Sequence, residues 1–468
     1  RDVRISRQTP RGPDQLSRFE RAVEAPEDKP MAFAFHRYIQ MVLEPFNRSH
    51  ALFVSSSALV MLFPLISAPI VARLYSPEDF GIYAVFFSLA TILSAISSLE
   101  LRNIALLEAD RTNGAHGALL ASGVVITFSL LLLAALVVTP DTWLIVLLGP
   151  DILPYLIWLP VTVLLMGGSQ VLYTWATREM QYSILARNKF ILGLSTMLLQ
   201  IGIGLTDAGA LGFIVANLLG LLLASILLTL LFVKTLKILK PKFSLSSALV
   251  QFRRHYLLTV WTMPASLVNS LSQFLPDLLI NRFFGAALLG QYSLAMRMLN
   301  MPIAFLSNSI QDFFRQLASA EFTDQGHCRS SFWRFTTLTL AGALIIILPV
   351  IVLIPYVFPI VFGSQWTEAG TMIQAVAFLT IVRFISSPIS YIWIIRGQQR
   401  LDFLWQIGLL ALSLGSLIIP PLLDPQITLY STLWLYSLVV GAWYVLAIVV
   451  SYRLSGRPYH KYDKKAAY

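Results

Sequence analysis

The chain has 468 residues, of which 56% are apolar and only 12% charged, with a mean hydropathy of +0.71. A soluble domain carries about 25% charged residues, so a set of ordinary soluble domains is excluded. The formal net charge of +10 is explained below by its placement between apolar runs, which leaves a nucleic-acid partner without support.

In chain order, residues 1–48 read as a cytoplasmic N-terminal segment. Its first 30 residues are polar, Arg-rich and expected to be disordered. They have no apolar core, so they do not read as a signal peptide. Apolar runs follow that are long enough to cross a bilayer, about 20 residues each; "ALFVSSSALVMLFPLISAPIVA" and "LGFIVANLLGLLLASILLTLLFV" are two of them. Twelve spans are predicted near 51–72, 82–101, 116–139, 152–176, 187–206, 211–233, 256–280, 288–313, 333–358, 369–394, 403–423 and 428–452. The fold class is therefore an all-α polytopic membrane protein. It divides into an N-terminal six-helix lobe (49–233), a cytoplasmic linker (234–255), a C-terminal six-helix lobe (256–454) and a basic cytoplasmic tail (455–468). The linker mixes basic with apolar residues, as an interfacial helix does.

With both termini inside, the loops on that side hold most of the Lys and Arg, whereas the outer loops hold only Arg73 and Arg282. That asymmetry is the positive-inside bias and sets the orientation.

Two short patterns occur twice. "RLYSPEDFGIY" and "RFFGAALLGQY" match at Arg73, Gly81 and Tyr83 against Arg282, Gly290 and Tyr292, each pair 209 positions apart. "YTWATREMQ" and "YIWIIRGQQ" match at Tyr173, Trp175, Arg178 and Gln181 against Tyr391, Trp393, Arg396 and Gln399, 218 apart. Same order and similar offset suggest duplication. Six spans separate the copies, so the halves share one orientation, an arrangement that places substrate at their interface. The Tyr-Trp-Arg-Gln copies read as paired anchors at the inner membrane boundary.

Polar chemistry concentrates in spans seven and eight. Asn269, Gln273, Asp277 and Asn281 recur every four residues and make one stripe. Ser293, Arg297, Asn300, Ser307, Asn308 and Gln311 share a face of span eight. The matching face of span two is Ser88, Thr91, Ser98 and Arg102. Arg297 lies roughly 14 Å in from its span end at 1.5 Å per residue, and Arg383 lies near the middle of span ten. A charge at the bilayer centre costs about 2.5–3.5 kcal/mol on insertion scales, so each needs water or a partner. Asp277 is the expected partner of Arg297. One reading is a buried salt bridge that fixes packing. The other is a cationic cavity for an anionic substrate, lined by Arg297, Arg383, Asn269, Gln273 and Asn300, with Asp277 as a coupling carboxylate. Arg suits it because its planar donors hold phosphate oxygens two at a time.

No G-x-x-x-x-G-K-[ST] or H-E-x-x-H occurs, and the single cysteine, Cys328, permits no internal disulfide. No cofactor, metal site or catalytic residue is implied, and the short outer loops argue against an enzyme.

Two segments carry a resemblance. "ISAPIVARLYSPEDFGIYAVFFSLATILSAISSLELRNIALLEAD" and "FGAALLGQYSLAMRMLNMPIAFLSNSIQDFFRQLASAE" resemble polysaccharide exporters related to O-antigen (Wzx-type) flippases, of the superfamily that includes multidrug antiporters and lipid II flippases. The resemblance implies two six-helix bundles around a central cavity in the bacterial cytoplasmic membrane. It implies as substrate an oligosaccharide on undecaprenyl diphosphate, moved from inner to outer leaflet for O-antigen, capsule or exopolysaccharide synthesis. Membrane lipids, a polysaccharide polymerase and assembly proteins are the implied partners. A multidrug antiporter, a membrane-embedded glycan polymerase or ligase, and an uncoupled lipid scramblase stay open as alternatives.

Overall fold

Backbone groups in hydrocarbon must satisfy one another within a segment, and among the described residues helices do so for the apolar runs. The computed structural model describes residues 62–239 and 245–456, all within one unit spanning 55–468. The expectations for residues 1–48, the start of the first span, part of the linker and most of the tail lie outside the described residues. The long helices are α1 (Leu62–Leu74), α2 (Pro77–Ser97), α3 (Arg111–Val138), α4 (Leu159–Arg178), α5 (Tyr182–Gly204) and α6 (Gly209–Leu239) in the first half. In the second they are α7 (Met263–Phe284), α8 (Ala286–Gln325), α9 (Arg329–Phe362), α10 (Ala377–Ile395), α11 (Gln399–Leu423) and α12 (Leu429–Ser455). Among the described residues there are no strands, and nine helices are long and apolar enough to cross a membrane. The other three are α1, whose described part is short, and the polar α7 and α8.

Local chemistry sets the boundaries. α2 begins five residues before its predicted start because Ser76 forms a capping box. The Asp79 amide donates to Ser76 Oγ at 3.1 Å, and the Ser76 amide to Asp79 Oδ2 at 2.9 Å. Pro77 at the first helical position suits that start. α8 is 40 residues long and outruns its predicted span, ending only at Gly326 with φ 71°. Predicted span ten is not continuous. A helix over Thr367–Ala375 breaks at Val376 before α10, and α10 is interrupted again at Ser390–Tyr391 beyond Pro388.

Six helices form a closed ring, α2–α7–α11–α12–α10–α8 and back to α2. Five belong to the second half. The tightest point is where α2 crosses α8. A Cβ on Gly81 would lie 1.8 Å from the Ala286 carbonyl oxygen, and one on Gly290 would lie 1.7 Å from that of Pro77. Pro77 and Gly81 become Ala286 and Gly290 under the 209-residue offset, so the contact is reciprocal.

Two arginines reinforce this end. Arg73 Nη2 donates to the Val361 carbonyl at 3.2 Å, and Arg282 Nε to that of Val146 at 3.0 Å. Each carbonyl lies in the last turn of a helix, where acceptors are left over and a cation is favoured. Those helices, α9 and a short one at Asp141–Leu148, end at Gly363 (φ 107°) and Gly149 (φ 91°). Asn281 Nδ2 adds a bond to the Leu148 carbonyl, and Gln365 and Trp366 both donate to that of Ala72. Every one of these bonds joins one half of the sequence to the other.

The opposite end holds the second repeat, and its tryptophans are not boundary anchors. Trp175 is 0% exposed and Trp393 2%. Trp175 packs in a cluster with Leu101, Ile104 and Phe232, while Trp393 Nε1 donates to Ser451 Oγ at 2.9 Å. Arg178 turns inward too, donating to the carbonyls of Ala105, Glu108 and Ala109. These residues pin helices to each other rather than to the membrane surface. Glu100 is buried in a left-handed turn (φ 60°) and accepts from Arg102 (2.8 Å), Asn103 (2.8 Å) and Ser266 (2.7 Å). In the linker, the helix Leu245–Leu257 brings Arg254 and His255 to Glu108, at 3.1 and 2.8 Å.

Candidate functional site: a polar cavity inside the helix ring

The ring encloses a cavity of about 870 Å³. All six residues singled out in the sequence line it: Asn269, Gln273 and Asp277 from α7, Arg297 and Asn300 from α8, and Arg383 from α10. The four-residue stripe of α7 faces inward through Asp277, but its last member, Asn281, is buried outside the cavity and caps the Leu148 carbonyl. Of the four span-two residues expected on the lining face, only Ser88, on α2, reaches it. Thr91 bonds back to its own helix at Phe87, and Arg102 joins Glu100 and Gln170. The cavity is thus built mainly by the second half, with α2 and Asn217 of α6 closing it, rather than shared evenly at an interface between halves.

The expected Asp277–Arg297 ion pair does not form. Asp277 Oδ2 instead accepts from Ser88 Oγ at 2.7 Å. Neither Arg297 nor Arg383 has a hydrogen-bond or ion-pair partner among the described residues, and Arg383 is exposed to the cavity. A packing salt bridge is therefore not what these arginines make. Two guanidinium groups with free donors face one polar space, and Asn269 accepts from Gln273 at 3.1 Å beside them.

The cavity has unequal ends. Towards the Gly81 crossing it is roofed by Phe80, Tyr83 and Tyr292. Tyr83 stacks on Phe213 with centroids 4.1 Å apart, and its hydroxyl accepts from Asn217 Nδ2 at 3.0 Å. Towards the other end the lining continues through Ser387 and Ser390 to Trp393, Asp402, Trp405, Gln406 and Tyr444. Sequence reasoning had Tyr83 and Tyr292 only as members of a repeat. Asn217 carried a usable signal, as a lone amide inside an apolar run. Asp402 and Gln406 were also detectable, as a polar pair one turn apart at the start of α11.

The helices surround a polar cavity, and solved structures share this fold. The chain is similar to an inward-facing multidrug resistance MATE family transporter of the MOP superfamily, with TM-score 0.65, 13% identity, and 85% and 93% of the two chains covered. It is equally similar to the lipid II flippase MurJ in an inward closed conformation, with TM-score 0.66, 16% identity, and 86% and 87% covered. The fold is theirs. By sequence, residues 70–371 match the family model described as "Polysaccharide biosynthesis protein", and the chain belongs to that family. Among curated relatives it is 24% identical over 196 residues to the teichuronic acid biosynthesis protein TuaB of Bacillus subtilis (strain 168), covering 41% of this chain and 40% of that one. It is 20% identical over 374 residues to the lipopolysaccharide biosynthesis protein WzxC of Escherichia coli (strain K12), covering 78% and 73%. The match thus spans less than half the length of TuaB and about three quarters of WzxC.

Proposed function

We propose that this protein is a flippase for polyprenyl-diphosphate-linked oligosaccharide, delivering it across the bacterial cytoplasmic membrane for polysaccharide assembly. The observation that carries the reading is the pair of unpaired arginines, Arg297 and Arg383, facing one cavity in a member of a polysaccharide biosynthesis family. A desolvated diphosphate needs cationic donors, and a guanidinium offers them in a fork that fits phosphate oxygens. The other lining residues divide the remaining work. Asn269, Gln273 and Asn300 meet sugar hydroxyls, and Asp277, held by Ser88 across the two halves, is the coupling carboxylate.

The twelve helices form two related six-helix lobes with both termini on the cytoplasmic side. In that orientation the Gly81 crossing is the outer seal, and the cavity takes substrate from the inside. The lobes rock about the crossing while the polyprenyl tail stays in lipid. A polysaccharide polymerase would consume the product outside, and no bond of the substrate changes during transport.

The experiment is the sidedness of lipid-linked glycan in cells, read with an impermeant probe for outward-facing sugar. Cells lacking the protein should hold unaltered glycan inside, and Arg297→Ala or Arg383→Ala variants that insert normally should fail to restore export. Normal export by both variants would overturn the assignment. A second reading, an antiporter for organic cations, is favoured by the multidrug transporter among the similar folds. The same two arginines oppose it, since they repel a cation from the part of the cavity they face.

A further inference from the structure

The end of the cavity farthest from the Gly81 crossing differs chemically from its centre. There the lining is aromatic and acidic: Trp393, Trp405 and Tyr444 with Asp402 and Gln406. Trp405 meets Trp393 edge-on with centroids 5.8 Å apart, and Tyr444 edge-on at 5.1 Å. Edge-to-face packing fixes each ring against its neighbours. The group is held from behind as well. Trp393 donates to Ser451 on α12, and Trp443 Nε1 donates to the Trp405 carbonyl at 3.2 Å. Asp402 and Gln406 lie one helical turn apart on α11 and both line this end of the cavity. Trp405, Tyr444, Asp402 and Gln406 are each only partly covered. The result is a rigid aromatic wall with a carboxylate and an amide along its edge, reached from the polar cavity.

Three facts restrict what this wall takes. A carboxylate repels phosphate, so the diphosphate is turned away from it and towards the arginines. Ser386, Ser387 and Ser390 line the cavity between Arg383 and this wall, so a ligand that reaches both Arg383 and Trp405 is extended and has an anionic end and a second, uncharged part. Flat aromatic faces beside acceptor and donor groups match the two surfaces of a pyranose: its C–H face packs on a ring and its hydroxyls bond at the edge. We propose that Trp405, Tyr444, Asp402 and Gln406 form a carbohydrate subsite that binds sugar residues of the substrate distal to the diphosphate. This deepens, and rests on, the flippase reading. The subsite makes the protein selective for a loaded carrier, since a bare polyprenyl diphosphate leaves it empty.

The test is binding by the purified full chain in detergent. The probes are undecaprenyl diphosphate without sugar and the lipid-linked oligosaccharide extracted from the source cells. The wild type should bind the loaded carrier at least tenfold more tightly. Trp405→Phe with Asp402→Asn should bind the bare carrier as the wild type does and lose the preference for the loaded one, whereas Arg383→Ala should weaken both. A preference that survives in the double variant overturns the subsite and leaves the flippase reading standing. If the wild type binds neither carrier, the flippase reading itself falls. Tighter binding of tetraphenylphosphonium than of either carrier, lost on Asp402→Asn, assigns the wall to organic cations and overturns the subsite. Should the double variant fail to fold, Gln406→Leu alone reports on the hydroxyl contacts, and an unchanged preference there counts against the proposal.

Discussion

Arg297, Arg383 and Asp277 show how far single residues can be read before a fold is known. A charge inside an apolar run needs water or a partner, and that need was legible from the sequence alone. Which of the two each one has was not legible. Adjacent helices α7 and α8 made Asp277–Arg297 the natural pair, but α2 packs against α7 and brings Ser88 to the carboxylate instead. Local sequence cannot foresee a partner 189 positions away. Cys328 offers a sharper test at this scale. It is fully buried at the start of α9, with its amide bonded to the Ser455 carbonyl at 3.0 Å. Burial pushes its thiol up to about 11; Arg396 opposes the shift and Glu321 adds to it. With a folded value above the unfolded one, the reactive thiolate is scarce at pH 7.5 and becomes available on unfolding. A maleimide should therefore label the native protein far more slowly than the protein opened in SDS, and equal rates would contradict the packing around α9.

At the scale of elements, helix positions followed from hydropathy, while helix ends and breaks followed from chemistry that hydropathy ignores. The Ser76 capping box, written in "SPED", could have moved the start of α2 to its observed place. The break at Val376 carries no glycine or proline beside it and is imposed by packing, so no local signal announced it. The repeated Gly81 and Gly290 were visible as matching letters, but their purpose, the direct approach of two backbones, needed the structure. That purpose predicts an asymmetry among glycines. Gly290→Ala puts a methyl into the Pro77 carbonyl and should lower the thermal midpoint by several degrees or abolish accumulation. Gly168→Ala on α4 meets nothing within 4 Å and should be neutral or stabilising by about 0.5–1 kcal/mol, as alanine is in a helix interior. Thermal unfolding followed by fluorescence would separate the two, and similar midpoints would deny the close crossing any role.

For the whole molecule, bonds cross between the halves at both ends: Arg73 and Arg282 at the Gly81 end, and Ser266 to Glu100 and Thr259 to Leu99 at the opposite one. Arg73 and Arg282 each cap a helix of the opposite half. A hydrogen bond to a charged donor contributes about 1.5–3 kcal/mol, and 1.4 kcal/mol is a factor of ten in a two-state ratio. Arg73→Ala and Arg282→Ala should thus each raise the share of molecules open at the Gly81 end by on the order of tenfold, with the double variant higher still. A cysteine placed at Ser293, near the cavity roof, reports this through an impermeant maleimide, because Cys328 is shielded. Unchanged labelling from the outside in all three variants would remove the arginines from the seal. The crossing they flank has a further consequence for timing. Where side chains interdigitate, two helices can part by degrees as rotamers adjust. Two backbones in bare contact have no such slack, so partial separation loses nearly all their dispersion contact at once. Opening at that end should therefore be a switch between two discrete states, and single-molecule distance records should show abrupt steps with no dwell between them.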